Sequence, residues 1–272
     1  MKTSGTHLLR CLLTASAALA PWLAHAACSR LINTPMAPTG LSVTVEGDTI
    51  GGIYPEILRS NQSKETCQFA LSAVPRARLE LLFETGKADV LIPAVKTPKR
   101  DELGTFVTLS FSRATLISLN SERPPLKTVK ELLDARDIKV ALVRGYDYGP
   151  VYQEMVNELT RQGRLQLQSS PLDVARLLKT GSVHATIMAP TILAGTIADD
   201  ERVRDIADKL RFESFEELPW VGNGAYISKA LSDADRQELL EFFERIAKSG
   251  AVWKGFQQIY PPHVLKVGLK SR

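Results

Sequence analysis

The sequence predicts an α/β fold in two lobes, each a mostly parallel sheet flanked by helices. Short apolar or β-branched runs alternate with helix-length amphipathic segments, and the alternation starts afresh at Pro124. Two extended segments, 116–120 and 222–228, sit where the chain would cross from one lobe to the other and back. The implied division is 27–117 for lobe one, 118–222 for lobe two and 223–272 for the return to lobe one. Two crossovers leave a cleft between the lobes with a hinge at its base, a favoured setting for a small-molecule site.

Residues 1–26 read as a signal peptide and stand outside the fold. Lys2 and Arg10 supply the positive start, 8–23 the apolar core, and Ala24-His25-Ala26 the small-x-small cleavage pattern. The apolar stretch is short for a membrane span, which needs about 20 residues. Cleavage near Ala26 predicts a periplasmic protein that begins at or close to Ala27. A lipid-modified Cys28 is the alternative, although His25-Ala26-Ala27-Cys28 lacks the usual aliphatic residue three before the cysteine. Loss of Lys2 and Arg10 lowers the formal charge from +4 to +2, and charges of both signs are interspersed. That balance gives no support to a nucleic-acid or membrane-surface role. With Cys11 removed, Cys28 and Cys67 are the only cysteine pair in an oxidising compartment. His184 and His263 have no cysteine or carboxylate at ligand spacing, so neither a metal nor another cofactor is implied.

Strands are expected at 30–34 and 67–74, with a helix between them that Gly51-Gly52 introduces and Pro55 opens at its first position. Pro75 starts the next helix, where Leu79, Leu82 and Phe83 recur at helical spacing and Gly86 occupies the C-cap. Residues 89–94 form a short buried strand, and 95–100 leave it as a basic loop. After Pro124, Thr128-Val129-Lys130-Glu131 is a capping box for a helix to Ala135. Strand 138–143 follows, then the loop 144–149, then a helix opened by Pro150 and closed by Gly163. Ser170 caps a helix that ends at Thr180-Gly181, and a buried strand covers 185–189, with His184 placed in it. Gly222-x-Gly224 lacks the third glycine and the strand-turn-helix context of a dinucleotide site. Ser232 caps a long amphipathic helix, 233–248, that Gly250 ends, and 251–260 is a packing helix that buries Trp253 and Phe256.

Ligands in open α/β sheets sit beyond the carboxyl ends of the strands. In lobe one this rule selects 35–38, Arg76, Lys96, Thr97 and Arg100; in lobe two it selects Arg144, Tyr146, Asp147, Tyr148 and 189–191. Basic residues outnumber the single acid, which implies an anionic or carboxylate-bearing ligand held by guanidinium forks. The tyrosines either stack on a planar part of the ligand or pack beneath their loop.

The ordered set Val74-Pro75-Arg76-Ala77-Arg78, Gly86-Lys87-Ala88-Asp89-Val90, Thr97-Pro98-Lys99-Arg100 and Phe106 to Phe111 resembles the first lobe of family 3 periplasmic solute-binding proteins, the amino-acid-binding type. The resemblance implies the type II periplasmic-binding-protein fold, a monomer, and a small-molecule ligand handed to an ABC transporter permease. It also implies that the first two strands are parallel neighbours. Cys28 and Cys67 would then form a structural disulfide at the edge opposite the ligand rim. Arg100 falls on the arginine that pairs with an amino acid's α-carboxylate. Two departures stand out: the hydroxyl residues upstream of that arginine are replaced around Pro93 to Lys96, and Met188-Ala189-Pro190 replaces the acid that would hold the α-amino group. The ligand is therefore amino-acid-like without being assured an α-amino group, and Asp147 is the candidate substitute acid. Two alternatives share the scaffold. One is a dehydratase, for which Asp147 is the obvious proton donor; the other is a sensor domain that signals to a membrane kinase or cyclase.

Overall fold

The computed structural model describes residues 27–272, so the signal peptide expected at 1–26 lies outside the described residues. Lobe one opens with β1 (Ile32–Met36), the hairpin β2 (Thr44–Glu46) and β3 (Thr49–Gly51), then α1 (Ile53–Asn61), β4 (Phe69–Ala73), α2 (Arg76–Glu84), β5 (Val90–Val95), α3 (Pro98–Leu103) and β6 (Gly104–Ser112). The chain crosses into lobe two through β7 (Thr115–Leu119) and continues with α4 (Val129–Asp134), β8 (Val140–Val143), α5 (Pro150–Arg161), β9 (Leu165–Gln168), α6 (Pro171–Lys179), β10 (Ala185–Met188), α7 (Pro190–Asp199) and β11 (Leu210–Glu213). It returns through β12 (Val221–Ser228) to α8 (Asp233–Ser249), α9 (Ala251–Ile259), α10 (Pro262–Gly268) and β13 (Leu269–Ser271).

The sheets are mixed. β1 pairs with β4 in parallel, and the second lobe's order is β11-β7-β10-β8-β9, parallel through β10, β8 and β9. The strands that make or meet the crossings pair antiparallel, giving the order β13-β6-β12-β5 in lobe one. Asp89 N donates to Asn33 O at 2.9 Å and ties β5 to β1, so lobe one carries a nearly continuous surface.

Local sequence chemistry sets most boundaries. Ser232 Oγ accepts from Asp235 N at 3.1 Å to cap α8, whose Leu239, Phe242, Phe243 and Ile246 are buried in the lobe-one core. The second lobe packs Leu116, Leu142, Tyr152, Ile187 and Phe215 together. Pro55 lies at the third helical position, not the first, because α1 begins directly after Gly52; either place is tolerated, since the N–H groups of a first turn have no helical acceptor. The basic stretch after β5 is not a loop. Thr97 Oγ1 accepts from Arg100 N at 3.4 Å and Pro98 occupies N1, so Arg100 stands on the helix α3. His184 precedes β10, where its Nδ1 accepts from Lys139 N at 2.9 Å.

Cys28 and Cys67 are bridged with their Cα atoms 4.8 Å apart, just before β1 and β4 at the edge away from the cleft. Ser29 reinforces the same edge through two 2.7 Å bonds to Asp235. The bridge closes a loop with a sequence separation of 39 residues. Replacing both cysteines by serine should lower unfolding stability by roughly 2–4 kcal/mol, read from urea denaturation, with no change in the far-UV signature of the folded protein. Two alkylatable thiols in the unreduced native protein would contradict the bridge.

Candidate functional site

The two lobes meet closely. Gly145 of lobe two, at φ 86°, lies against α2 of lobe one so tightly that a Cβ there would stand 2.9 Å from Ala77 Cα. On the other side of the cleft a Cβ on Gly195 of α7 would stand 2.6 Å from Leu41 N. Side chains at these positions would hold the lobes apart. Glycine permits this closed approach.

Closure leaves an inner cavity of about 50 Å³, several times the 10–15 Å³ that admits one water. Lobe one contributes Ser42, Tyr54, Arg76, Arg100 and Asn223 to its wall; lobe two contributes Tyr146, Asp147, Tyr148 and Thr191. An outer groove of about 550 Å³ shares Arg100, Tyr146 and Asp147 with the cavity and continues between Glu84 and Lys99 on one bank and Pro150 and Gln153 on the other.

The arginines are organised by a carboxylate that the strand-end rule does not select. Glu80, on α2, receives Arg100 Nε at 3.1 Å and Nη2 at 3.0 Å, and pairs with Arg76 Nη2 at 2.6 Å. Arg100 Nη1 also donates to Val95 O at 2.7 Å, and Arg76 Nη1 to Pro93 O at 3.0 Å. Burial alone would push the Glu80 carboxyl up, yet Arg76 and Arg100 together hold it below the ordinary carboxylate range. The sequence carries one signal for it: Arg76 and Glu80 are i, i+4 on a helix.

Other residues from the sequence reading also reach the cavity or the groove, Ala189 and Thr191 at the start of α7 among them. Tyr146 is 9% exposed, with its hydroxyl buried and unpartnered, and the Arg76 guanidinium carbon lies 5.9 Å from its ring centroid. Tyr148 Oη accepts from Ala189 N at 3.2 Å, and burial pushes that hydroxyl up to about 12. Asp147 Oδ1 accepts from Gly149 N at 2.8 Å and Gln153 Nε2 at 3.1 Å, which spends that oxygen on the start of α5. Thr97 lines the groove while its N–H donates to Tyr226 Oη at 2.9 Å. Lys96 and Arg144 line neither chamber. Lys96 is exposed and paired with Asp101 at 2.5 Å, and Arg144 is exposed beyond β8. Asn223 was outside the strand-end rule because it lies within β12; its Nδ2 donates to Tyr54 Oη at 3.0 Å and Ser110 Oγ at 3.2 Å.

No protein-family model and no curated protein matches the sequence. The fold has clear solved counterparts. An amino acid ABC transporter substrate-binding protein from Streptococcus pneumoniae, bound to L-arginine, superposes with a TM-score of 0.65 at 17% identity, over 84% of this chain and 93% of that one. The fold is that of the periplasmic binding proteins. An ancestral amino acid-binding protein, a precursor of cyclohexadienyl dehydratase, matches with TM-score 0.64 at 13% identity over 85% of this chain and 96% of its own. A histidine kinase sensor domain with similarity to periplasmic binding proteins matches with TM-score 0.62 at 18% identity, over 84% and 95%. The periplasmic-binding-protein scaffold therefore accommodates this chain at low identity.

Glu80→Gln should cost roughly 3–5 kcal/mol of stability, because it leaves two buried guanidiniums facing a neutral amide. Because the folded pKa is depressed, the wild-type contribution is full above the unfolded carboxylate's value of about 4.3 and is lost as pH falls through the lower folded value. Urea midpoints measured across the acid range should therefore fall more steeply for wild type than for Glu80→Gln. Parallel curves would remove Glu80 from that role.

Proposed function

We propose that this is an exported solute-binding protein that captures a small carboxylate-bearing molecule between its lobes and presents it to an ABC transporter permease. The observation that carries this reading is the interlobe cavity walled by guanidinium, phenol, hydroxyl and amide groups from both lobes. A ligand there stabilises the closed form by its differential affinity for it, since only that form supplies both walls. The amino-terminal signal pattern and the Cys28–Cys67 bridge support a periplasmic location. The lobe limits 27–117, 118–222 and 223–272 and a monomeric state belong to the same reading. Its structural counterparts include amino acid transporter binding proteins, which supports small-molecule capture.

Binding is favoured over dehydration because Asp147 Oδ1 is engaged by Gly149 and Gln153, a poor arrangement for aiming a proton at a leaving hydroxyl. Sensing by the same closure is the second reading, favoured by the sensor-domain counterpart.

A thermal-shift screen over amino acids including L-arginine, hydroxy and keto acids, dicarboxylates and aromatic acids tests the proposal. A ligand at a hundred times its Kd should add about 2.7 kcal/mol of stability. Small-angle scattering with the strongest hit should show a population at least as compact as the free protein and a narrower spread of lobe separations. No stabilisation by any solute would exclude the reading.

A further inference from the structure

Two residues on the wall of the inner cavity carry buried donors that the protein leaves unused. Arg76 Nε and Tyr146 Oη have no hydrogen-bond partner, and both residues line the cavity. Arg76 is 7% exposed and Tyr146 9%, so bulk water does not serve them. Buried donors are seldom left unpaired in native proteins, and an orphan at a cavity wall marks a place for an acceptor. The two come from opposite lobes, with 5.9 Å between the guanidinium carbon and the phenol ring centroid. An acceptor touching both would join the lobes only when they are closed.

The charge on the lobe-one side of the cavity suits an anion. Arg76 and Arg100 share one carboxylate, Glu80, which leaves one positive charge over that trio. The other carboxylate of the cavity wall, Asp147, offsets that charge across the cavity as a whole. It stands on lobe two, however, with its Oδ1 accepting from Gly149 N and Gln153 Nε2, so the positive side of the cavity is at Arg76. Arg76 is also the first residue of the nine-residue helix α2, where the helix dipole adds to the positive potential. Arg100 is differently placed, for Glu80 already fills its Nε and Nη2 fork and Val95 O takes Nη1.

We infer that the ligand's carboxylate is received by Arg76 Nε–H and Tyr146 O–H, while Arg100 braces Glu80 and is not the carboxylate's partner. This rests on the solute-binding reading for its biological use, though the receptor itself is testable with a minimal probe. Glu80 occupies the place in the Arg100 fork that the ligand would otherwise take, and it fixes Arg76 through Nη2 with Nε left unpartnered.

Acetate, small enough for a cavity of about 50 Å³, is the probe. Thermal denaturation in sodium acetate is compared with sodium chloride at equal ionic strength, for wild type, Tyr146→Phe, Arg76→Lys and Arg100→Lys. Wild type should be stabilised by acetate. Tyr146→Phe removes only an unpaired hydroxyl, so the free variant should melt at or above the wild-type temperature. Its acetate affinity should nevertheless fall about tenfold or more, as for loss of a hydrogen bond to a charged group. Arg76→Lys, which keeps the charge but loses the Nε–H, should also bind acetate more weakly. An equal acetate response in wild type and Tyr146→Phe overturns the assignment, as does the absence of any response in wild type. Loss of the response in a folded Arg100→Lys protein that Tyr146→Phe retains would return the receptor to Arg100. If a solute from the wider screen binds and Tyr146→Phe holds it undiminished, the receptor falls while the solute-binding reading stands. If acetate behaves as expected but no solute in that screen binds, the receptor stands and the reading falls.

Discussion

Two guanidiniums taken out of water lose several kcal/mol of hydration each, and no amount of apolar packing replaces it. Glu80 answers that constraint for Arg76 and Arg100 at once, through 2.6, 3.0 and 3.1 Å contacts. The placement of its carboxylate between α2 and α3 fixes the near ends of both helices and with them the lobe-one wall of the cleft. Pro93 O and Val95 O, at the end of β5, take the outer donors of the pair, so the strand, two helices and both arginines form one hydrogen-bonded unit. Such a unit is rigid before any ligand arrives, which lowers the ordering cost of binding.

Closure depends on a different property, the lack of side chains where backbone meets backbone. Gly145 and Gly195 lie at opposite ends of the interlobe contact, and each has neighbouring atoms of the other lobe where a Cβ would be. The hinge strands β6–β7 and β11–β12 join at Arg113, whose Nε donates to Val267 O at 2.8 Å and whose guanidinium stacks over Trp220 at 4.7 Å. The C-terminal segment therefore braces the crossover. Lobe separation and hinge support are set by residues that never touch the cavity.

Sequence alone revealed much of this. The caps at Thr128, Ser170 and Ser232 and the prolines at the starts of α5 and α6 mark helix starts because their chemistry is local. Thr97-Pro98 carries the same signal, but the charge of the following residues gave it the look of a loop, and α3 was missed. β13 and α10 escaped because a three-residue strand and a seven-residue helix have too little periodicity to register. The site was legible as a rim of strand ends, which found Arg76, Tyr146, Asp147 and Tyr148. It could not find Asn223, a mid-strand residue whose side chain reaches the cavity through the sheet's alternation, nor show which donors of the two arginines Glu80 already engages.

That last gap matters for reading any site on this scaffold. A fold shared by transporters' binding proteins, a dehydratase precursor and a sensor domain does not fix function. Nor does the position of a single arginine, because a guanidinium has one planar fork and a protein carboxylate competes for it on equal geometric terms with a ligand's. Here the intramolecular partner has the advantage of being tethered, on a helix turn beside Arg76, so it meets the fork at high effective concentration. A soluble carboxylate in the Arg100 fork would have to displace Glu80 and leave it buried with Arg76 as its one remaining guanidinium partner. Binding to donors that the fold leaves open involves no such displacement. The free energy of the closed cleft thus favours the donors that Glu80 and the strand carbonyls leave unpartnered, and a residue's ligand role follows from which of its donors remain unspent.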